Sequence, residues 1–318
     1  MDFVLTDEQS ALQAGVRKQL AARFPMAEIR AMESSNGVER ARWGELADAG
    51  VFSLRLAEAS GGVGLGMAES VLVFEELGRA LVPGPLVATA LAAPSVDGAA
   101  TGRSVAGIVE RSDRFVEHLS ALDVLVILDG EGIWQLPAAA VDGVPARQSL
   151  DPLTPIHRIA PLAQGEKIGG ADETRRWRLE GALLTSALQL GIAEAVTDLG
   201  VAYAKERVQF DKPIGAFQAV KHLLADMLVR TEIARASVYA AAVTADDPDV
   251  GDVDAAVGGA KLLAGEAALA NAKACVQVFG GMGFTWEVDV HLYLKRAWVL
   301  DTAFGSADDH AERLAQLL

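Results

Sequence analysis

Three stretches of this 318-residue sequence place reactive or ligand-gripping side chains at short spacing. The first is Arg207-Val208-Gln209-Phe210-Asp211-Lys212-Pro213-Ile214-Gly215-Ala216-Phe217-Gln218. A guanidinium such as Arg207 can hold a phosphate through two parallel hydrogen bonds. The Phe210 ring can pack against another ring, and the amide of Gln218 can hydrogen-bond a heterocycle. The second is Gln277-Val278-Phe279-Gly280-Gly281-Met282-Gly283-Phe284. Glycines such as Gly280 and Gly281 allow close approach to the backbone and leave bare N–H donors, which anion sites use. The third is Ala303-Phe304-Gly305-Ser306. Each stretch also has an ordinary explanation. An arginine at a helix end often pairs with a surface carboxylate, and Gly-Gly-x-Gly often makes only a turn.

Other chemistries find little support. The five histidines, His118, His157, His222, His291 and His310, are scattered. Asp308-Asp309-His310 suggests a metal at first sight, but neighbouring residues on a helix point apart, so no metal is expected. No Ser-His-Asp signature occurs. Cys275 is the sole cysteine, which rules out an internal disulfide and fits a reducing cytosol. Its Ala-rich surroundings predict an inert core thiol.

The elements that must position these residues are mostly helical. Residues 1–100 carry amphipathic patterns, beginning with a capping box at Thr6 and Gln9 and a stripe of Leu12, Val16 and Leu20. Ala41 to Leu54 and Met67 to Leu81 repeat the pattern. Ser60 to Gly66 holds four glycines in seven residues, which predicts a turn. Residues 101–170 change character. Val124 to Leu128 and Ile133 to Leu136 flank Asp129-Gly130-Glu131-Gly132, which reads as a hairpin in a small β-domain. Residues 171–318 are helical again. Leu184, Leu188, Ile192, Ala195 and Leu199 form one stripe, and Phe217, Val220, Leu224, Met227 and Ile233 form another. Asp246 to Asp252 is a polar connector, with Asp254 expected to cap the next helix.

Bulk properties narrow the classes further. The sequence is 51% hydrophobic but only 6% aromatic, which favours helix-on-helix packing. It has 28 Lys and Arg against 43 Asp and Glu, a net charge of −15. That balance argues against a nucleic-acid partner, which needs clustered cations. The N-terminus lacks a basic then apolar signal pattern, and Pro83, Pro85 and Pro94 interrupt the longest apolar candidate. The expectation is a cytoplasmic protein with no membrane partner.

Taken together, the motifs resemble the acyl-CoA dehydrogenase family. Similar passages are Met1 to Gln9, Trp43 to Gly50, Gly61 to Gly66, Glu75 to Ala80, Glu206 to Gln218 and Gln277 to Gly283. The resemblance covers both helical segments, about three-quarters of the chain. It implies a mostly α fold, with an N-terminal helical domain (1–100), a reduced middle β-domain (101–170) and a C-terminal four-helix bundle (171–318). It implies FAD as cofactor and removal of two hydrogens from an acyl-CoA thioester, with electron-transfer flavoprotein as electron acceptor. Carried over residue by residue, the group that holds the pyrophosphate and adenosine is Arg207, Gln209, Phe210, Gln218, Gln277, Gly280 and Gly281.

The sequence departs from that pattern where the reaction itself is done. Many family members place the catalytic Glu before a Gly-Thr near the C-terminus. Here Phe304 stands before Gly305-Ser306, and a phenyl ring accepts no proton. Others place the Glu on the first helix of the bundle, where Gly181 is the match. Glu180 is adjacent, but one residue turns a helix by about 100°, and a solvated surface Glu is the plainer reading. The family's Thr-Glu-Pro segment that contacts the flavin ring has no match between Gly102 and Gly170. The expectation is therefore a subunit without a catalytic base that completes the FAD site of a paralogous partner, in a heterotetramer. In its shortness it resembles actinobacterial subunits acting on steroid-derived CoA esters. A homo-oligomer using Glu180 and a non-enzymatic scaffold are the competing expectations.

Overall fold

In the computed structural model, which describes residues 5–35 and 37–317, each helix begins where the sequence supplies a cap or a break. Met1 to Val4, the opening of the family-like N-terminus, lie outside the described residues. Helix α1 (Asp7–Arg23) starts at Thr6, whose hydroxyl accepts from Gln9 while the Gln9 side chain accepts from Thr6, the full capping box. Helices α2 (Met26–Ala31), α3 (Arg40–Asp48), α4 (Met67–Arg79) and α5 (Leu86–Ala92) follow. The glycine-rich stretch before α4 is a turn, with left-handed backbone at Gly61 and Gly64.

Strands occupy the middle of the chain: β1 (Ala106–Glu110), β2 (Phe115–Glu117), β3 (Val124–Asp129), β4 (Gly132–Pro137), β5 (Gly143–Pro145), β6 (Ile156–Ile159) and β7 (Glu166–Gly169). The expected hairpin is β3–β4, paired antiparallel from Val124 with Pro137 to Asp129 with Gly132. One sheet has the order β1-β3-β4-β7 and a second β2-β6-β5. Aliphatic side chains of β3 are buried, as a strand in the middle of a covered sheet requires.

The 36-residue helix α6 (Ala171–Glu206) leads into the hairpin β8 (Val208–Gln209) and β9 (Lys212–Pro213). Then come α7 (Gln218–Asp246), α8 (Val253–Phe279), α9 (Val290–Thr302) and α10 (Ala307–Gln316). Two sequence readings need correction. The cap of α8 is Asp252, not Asp254; its carboxylate accepts from the Ala255 N–H, and Asp254 lies inside the first turn. The buried line of α7 runs through Met227, Thr231, Ala234, Val238 and Ala241, while Ile233 is exposed. Phe217, Val220, Leu224 and Met227 lead into that line at the same helical spacing, so of the expected stripe Ile233 alone falls off the packed face.

The described residues form two compact units. One comprises Met1–Met26, Met67–Val82 and Ala182–Leu318, the other Ala27–Gly66 and Pro83–Gly181. Among the described residues helix α6 alone has the length and apolar content to cross a bilayer, and 83% of its apolar window is buried within the protein. Every residue from Gly181 to Ala193 is buried, so the helix is enclosed on all sides rather than along one stripe.

In the first unit α4 meets α6 main chain against main chain. A Cβ on Gly78 would lie 2.1 Å from the Leu188 carbonyl oxygen, and one on Gly191 would lie 1.9 Å from that of Glu75. At the same crossing the fully buried Glu75 is held by α7. Its carboxylate pairs with Arg235 and accepts from the Tyr239 hydroxyl at 2.7 Å. Burial pushes Glu75 up to about 7, against the pull of Arg235 and Tyr239.

Backbone offers no relief to an added methyl group here. Gly191→Ala is expected to lower stability by at least about 1–3 kcal/mol, the range for overpacking. Urea unfolding followed by circular dichroism reads the change, and an unshifted midpoint would contradict the contact.

Candidate functional site

Arg207 follows α6 directly, and its N–H still donates to the Tyr203 carbonyl at 2.8 Å. The chain then turns through β8 and β9. Gln209 pairs with Lys212, so the loop between them is only Phe210-Asp211. Both loop residues have positive φ, 52° and 59°. This is the mirror-image turn that suits the twist of two short strands. Asn and Gly are the ordinary occupants of such a turn, and a phenylalanine there is a strained choice. Its ring is also 86% exposed, packed only edge-on against Phe217 at 6.1 Å. An aromatic that is strained and bare at once has no fold-stabilising explanation.

The hairpin ends at Phe217, after which Gln218 opens α7. The Ile214 N–H donates to the Arg207 carbonyl at 2.8 Å, which ties the end of the passage to its beginning. Arg207, Gln209, Phe210 and Gln218 are all exposed. The Gln209 amide donates to the Val208 carbonyl at 2.8 Å. Among the described residues the Arg207 side chain has no hydrogen bond or ion pair. The surface ion pair that would have been its ordinary role is therefore missing.

The second passage sits at the same end of this unit. Helix α8 ends on Gly280, whose N–H donates to the Gln277 carbonyl and whose φ is 62°. The preceding residue, Phe279, stacks on Tyr203 with ring centroids 4.0 Å apart. Tyr203 is the residue whose carbonyl holds Arg207. One aromatic stack thus joins the arginine turn to the glycine turn. Gly280 needs its glycine for the backbone angle. Gly281 does not, since a Cβ there would meet nothing within 4 Å of this chain. Gln277, Gly280 and Gly281 are exposed, as is Phe284 at 77%. The sequence spacing named these residues but not the Tyr203–Phe279 contact, for which no local signal exists.

The third passage forms a separate corner. Phe304 has φ 55°, a second phenylalanine in the left-handed region. Its carbonyl accepts from Nε2 of the buried His310 at 3.1 Å, which fixes the proton on that nitrogen because a carbonyl only accepts. Burial holds the His310 pKa below the usual histidine range. Ser306 caps α10 in a box with Asp309. No carboxylate occupies the position before Gly305.

Glu180 differs from its sequence reading. It is not a solvated surface group. Arg55 grips it with two hydrogen bonds, 2.8 Å and 2.6 Å, and its side chain is only 14% exposed. Cys275 is buried, and burial pushes its thiol up to about 12. That is an inert thiol, as the sequence predicted. Among the described residues no three His, Cys, Asp or Glu side chains gather as metal ligands do.

Unpaired guanidinium, bare glycine turn and exposed ring together define a surface suited to an anionic, ring-bearing group. Comparison with known proteins supplies the family. The acyl-CoA dehydrogenase N-terminal domain profile matches residues 6–102, and the C-terminal domain profile matches residues 179–318. The acyl-CoA dehydrogenase IpdE2 of Mycolicibacterium smegmatis is 35% identical over 91% of this chain and 92% of its own length. Acyl-CoA dehydrogenase FadE34 of Mycobacterium tuberculosis is 34% identical over 100% of this chain but only 49% of its own length. Among solved structures, the Tcur3481-Tcur3483 steroid ACAD variant superposes with a TM-score of 0.84 at 23% identity, covering 98% of this chain and 97% of that one. The ChsE4-ChsE5 complex from Mycobacterium tuberculosis gives 0.83 at 23%, covering 99% and 98%. The structural likenesses carry the fold. With the IpdE2 match, they leave no ambiguity: the chain belongs to the acyl-CoA dehydrogenase family.

The strained turn generates a prediction independent of any ligand. Phe210→Asn should raise the stability of the isolated chain by about 1 kcal/mol, since left-handed backbone costs most residues roughly 1–2 kcal/mol and asparagine less. A urea midpoint that stays put or falls would show that Phe210 stabilises the fold after all.

Proposed function

We propose that this chain is the accessory subunit of an FAD-dependent acyl-CoA dehydrogenase, supplying the adenosine and pyrophosphate end of a flavin site that a paralogous subunit completes. The observation that carries the reading is the unpaired Arg207 beside a strained, exposed Phe210 and the open Gly280-Gly281 turn, in a chain whose family base position is Phe304. The residues fit the cofactor's chemistry. Arg207 would hold the pyrophosphate through its fork, the N–H groups of Gly280 and Gly281 would donate to it, and Phe210 would cover a ring. Gln209, Gln218 and Gln277 would serve the remaining polar edges. When bound, FAD supplies the hydride acceptor at its flavin N5.

What this chain does not supply is the base. Phe304 cannot take a proton, and Glu180 is held in a two-point grip by Arg55. Two structural neighbours are named as pairs of proteins, ChsE4 with ChsE5 and Tcur3481 with Tcur3483. FadE34 is about twice as long as the matched region. These names support a paralogous partner in a heterotetramer, and the word steroid in one of them supports a bulky, steroid-derived acyl-CoA as substrate. Exposed Val208, Phe210, Met282 and Phe284 at the site end of the first unit are consistent with burial against that partner. Electron-transfer flavoprotein as acceptor and a cytoplasmic location complete the reading.

Co-expression with a full-length paralogue, followed by the visible flavin spectrum, tests it. The isolated chain is expected to lose FAD on desalting, and the mixed complex to stay yellow. A stoichiometric yellow protein with no partner would defeat the proposal. In the mixed complex, Arg207→Ala should weaken FAD binding by about 10²–10⁴-fold, because two charge-assisted hydrogen bonds of about 1.5–3 kcal/mol each are lost. FAD titration of stripped wild-type and variant complexes reads this, and equal affinities would remove Arg207 from the site.

Glu180→Gln addresses the competing homo-oligomer. Turnover of the mixed complex is expected to stay nearly unchanged, whereas loss of a general base slows an enzyme about 10²–10⁴-fold. Steady-state rates at matched FAD content decide between the two.

A further inference from the structure

Buried hydroxyl and amide side chains of the bundle helices in the first unit mostly find partners within the protein. The hydroxyls of Ser186, Thr197, Thr231 and Thr244 each donate to the carbonyl four residues earlier, at 2.7, 2.7, 3.0 and 2.9 Å. The buried Asn271 amide donates to the Met227 carbonyl at 2.8 Å and to the Thr231 hydroxyl at 3.0 Å. Thr185 and Gln189 break this rule. They lie one turn apart on α6, exposed to 1% and 0% respectively. Neither the Thr185 hydroxyl nor either polar atom of the Gln189 amide has a partner among the described residues. A fully buried glutamine with both ends unmet is uncommon and calls for an occupant.

The surroundings say what kind. Helix α8 approaches Gln189 with Gly265, which offers no side chain. A Cβ there would lie 3.5 Å from Gln189 Nε2 and 3.4 Å from Asp301 Oδ1, so an amide donor and a carboxylate acceptor flank the same gap. Lys261, one turn before Gly265, is buried and commits its ammonium to the Leu300 and Asp301 carbonyls, 3.0 Å each. An anion would meet the Asp301 carboxylate, and a cation would meet Lys261. A neutral oxygen that both gives and takes hydrogen bonds suits the set. Thr185 and Gln189 also follow Gly181, the position where some family members carry the base, by one and two turns of the same helix.

We propose that Thr185 and Gln189 form a polar subsite for a neutral oxygen, a hydroxyl or ketone, on the acyl part of an acyl-CoA. The chain thereby binds an oxygenated acyl-CoA that it has no base to oxidise. The inference rests on the reading of this chain as a baseless acyl-CoA dehydrogenase subunit.

The test is equilibrium binding of hydroxycyclohexanecarbonyl-CoA and of cyclohexanecarbonyl-CoA to the full chain and to the mixed complex, with flavin content measured in parallel. The hydroxylated ligand should bind about 5- to 150-fold more tightly, the range for one buried hydrogen-bonding group left unmet. Gln189→Leu and Thr185→Val should each shrink that preference while leaving the affinity for the deoxy ligand equal or higher. Equal binding of the two ligands to the wild-type chain would overturn the subsite, and so would an undiminished preference in both variants. Failure of either ligand to bind, with FAD retained in the mixed complex, would overturn the subsite and leave the accessory-subunit reading standing. A mixed complex without flavin would bring down that reading, and the subsite with it. The wild-type comparison depends on no variant folding.

Discussion

Everything in the first unit is organised around a place where two helix backbones touch. Gly78 on α4 faces the Leu188 carbonyl, and Gly191 on α6 faces the Glu75 carbonyl, at distances that exclude even a methyl group. Such proximity leaves no room for side chains between the helices, so α6 becomes buried all round. It also delivers Glu75 into the interior, where the Arg235 guanidinium, the Tyr239 hydroxyl and the Gln13 amide make a buried carboxylate tolerable. A close crossing and a buried charge thus fix α4, α6 and α7 with respect to one another.

Once α6 is fixed, its C-terminal end is fixed too, and that end meets the end of α8. Tyr203 stacks on Phe279, so the last turn of α6 and the last turn of α8 arrive together. Each helix then finishes in backbone that ordinary residues avoid, Phe210-Asp211 after one and Gly280 after the other. Strain of this kind persists only where the surrounding structure imposes it. Here helices hold two such turns at one end of the unit, and among the described residues the Arg207 guanidinium that opens the first has no ion pair.

The opposite condition holds at the Phe304 corner. Its left-handed backbone is also imposed, by the buried His310 and by the capped start of α10. The side chain on that backbone is a phenyl ring, which accepts no proton.

Local patterns in the sequence were sufficient for the elements and for the family. The capping box at Thr6 and Gln9, the β3–β4 hairpin and the glycine-rich turn before α4 depend on neighbours a few residues apart, and each formed as read. What the sequence could not give were contacts between residues far apart along the chain. Ile233 was misassigned to the α7 stripe because the buried line continues through the smaller Thr231 and Ala234. Glu180 looked solvated because Arg55, its partner, lies 125 positions away. The Tyr203–Phe279 stack, the nakedness of Arg207 and the unmet amide of Gln189 are likewise properties of neighbours brought together by folding. Hydrogen-bond satisfaction is decided in three dimensions, and only the tertiary structure shows which polar groups this chain leaves for something else to meet.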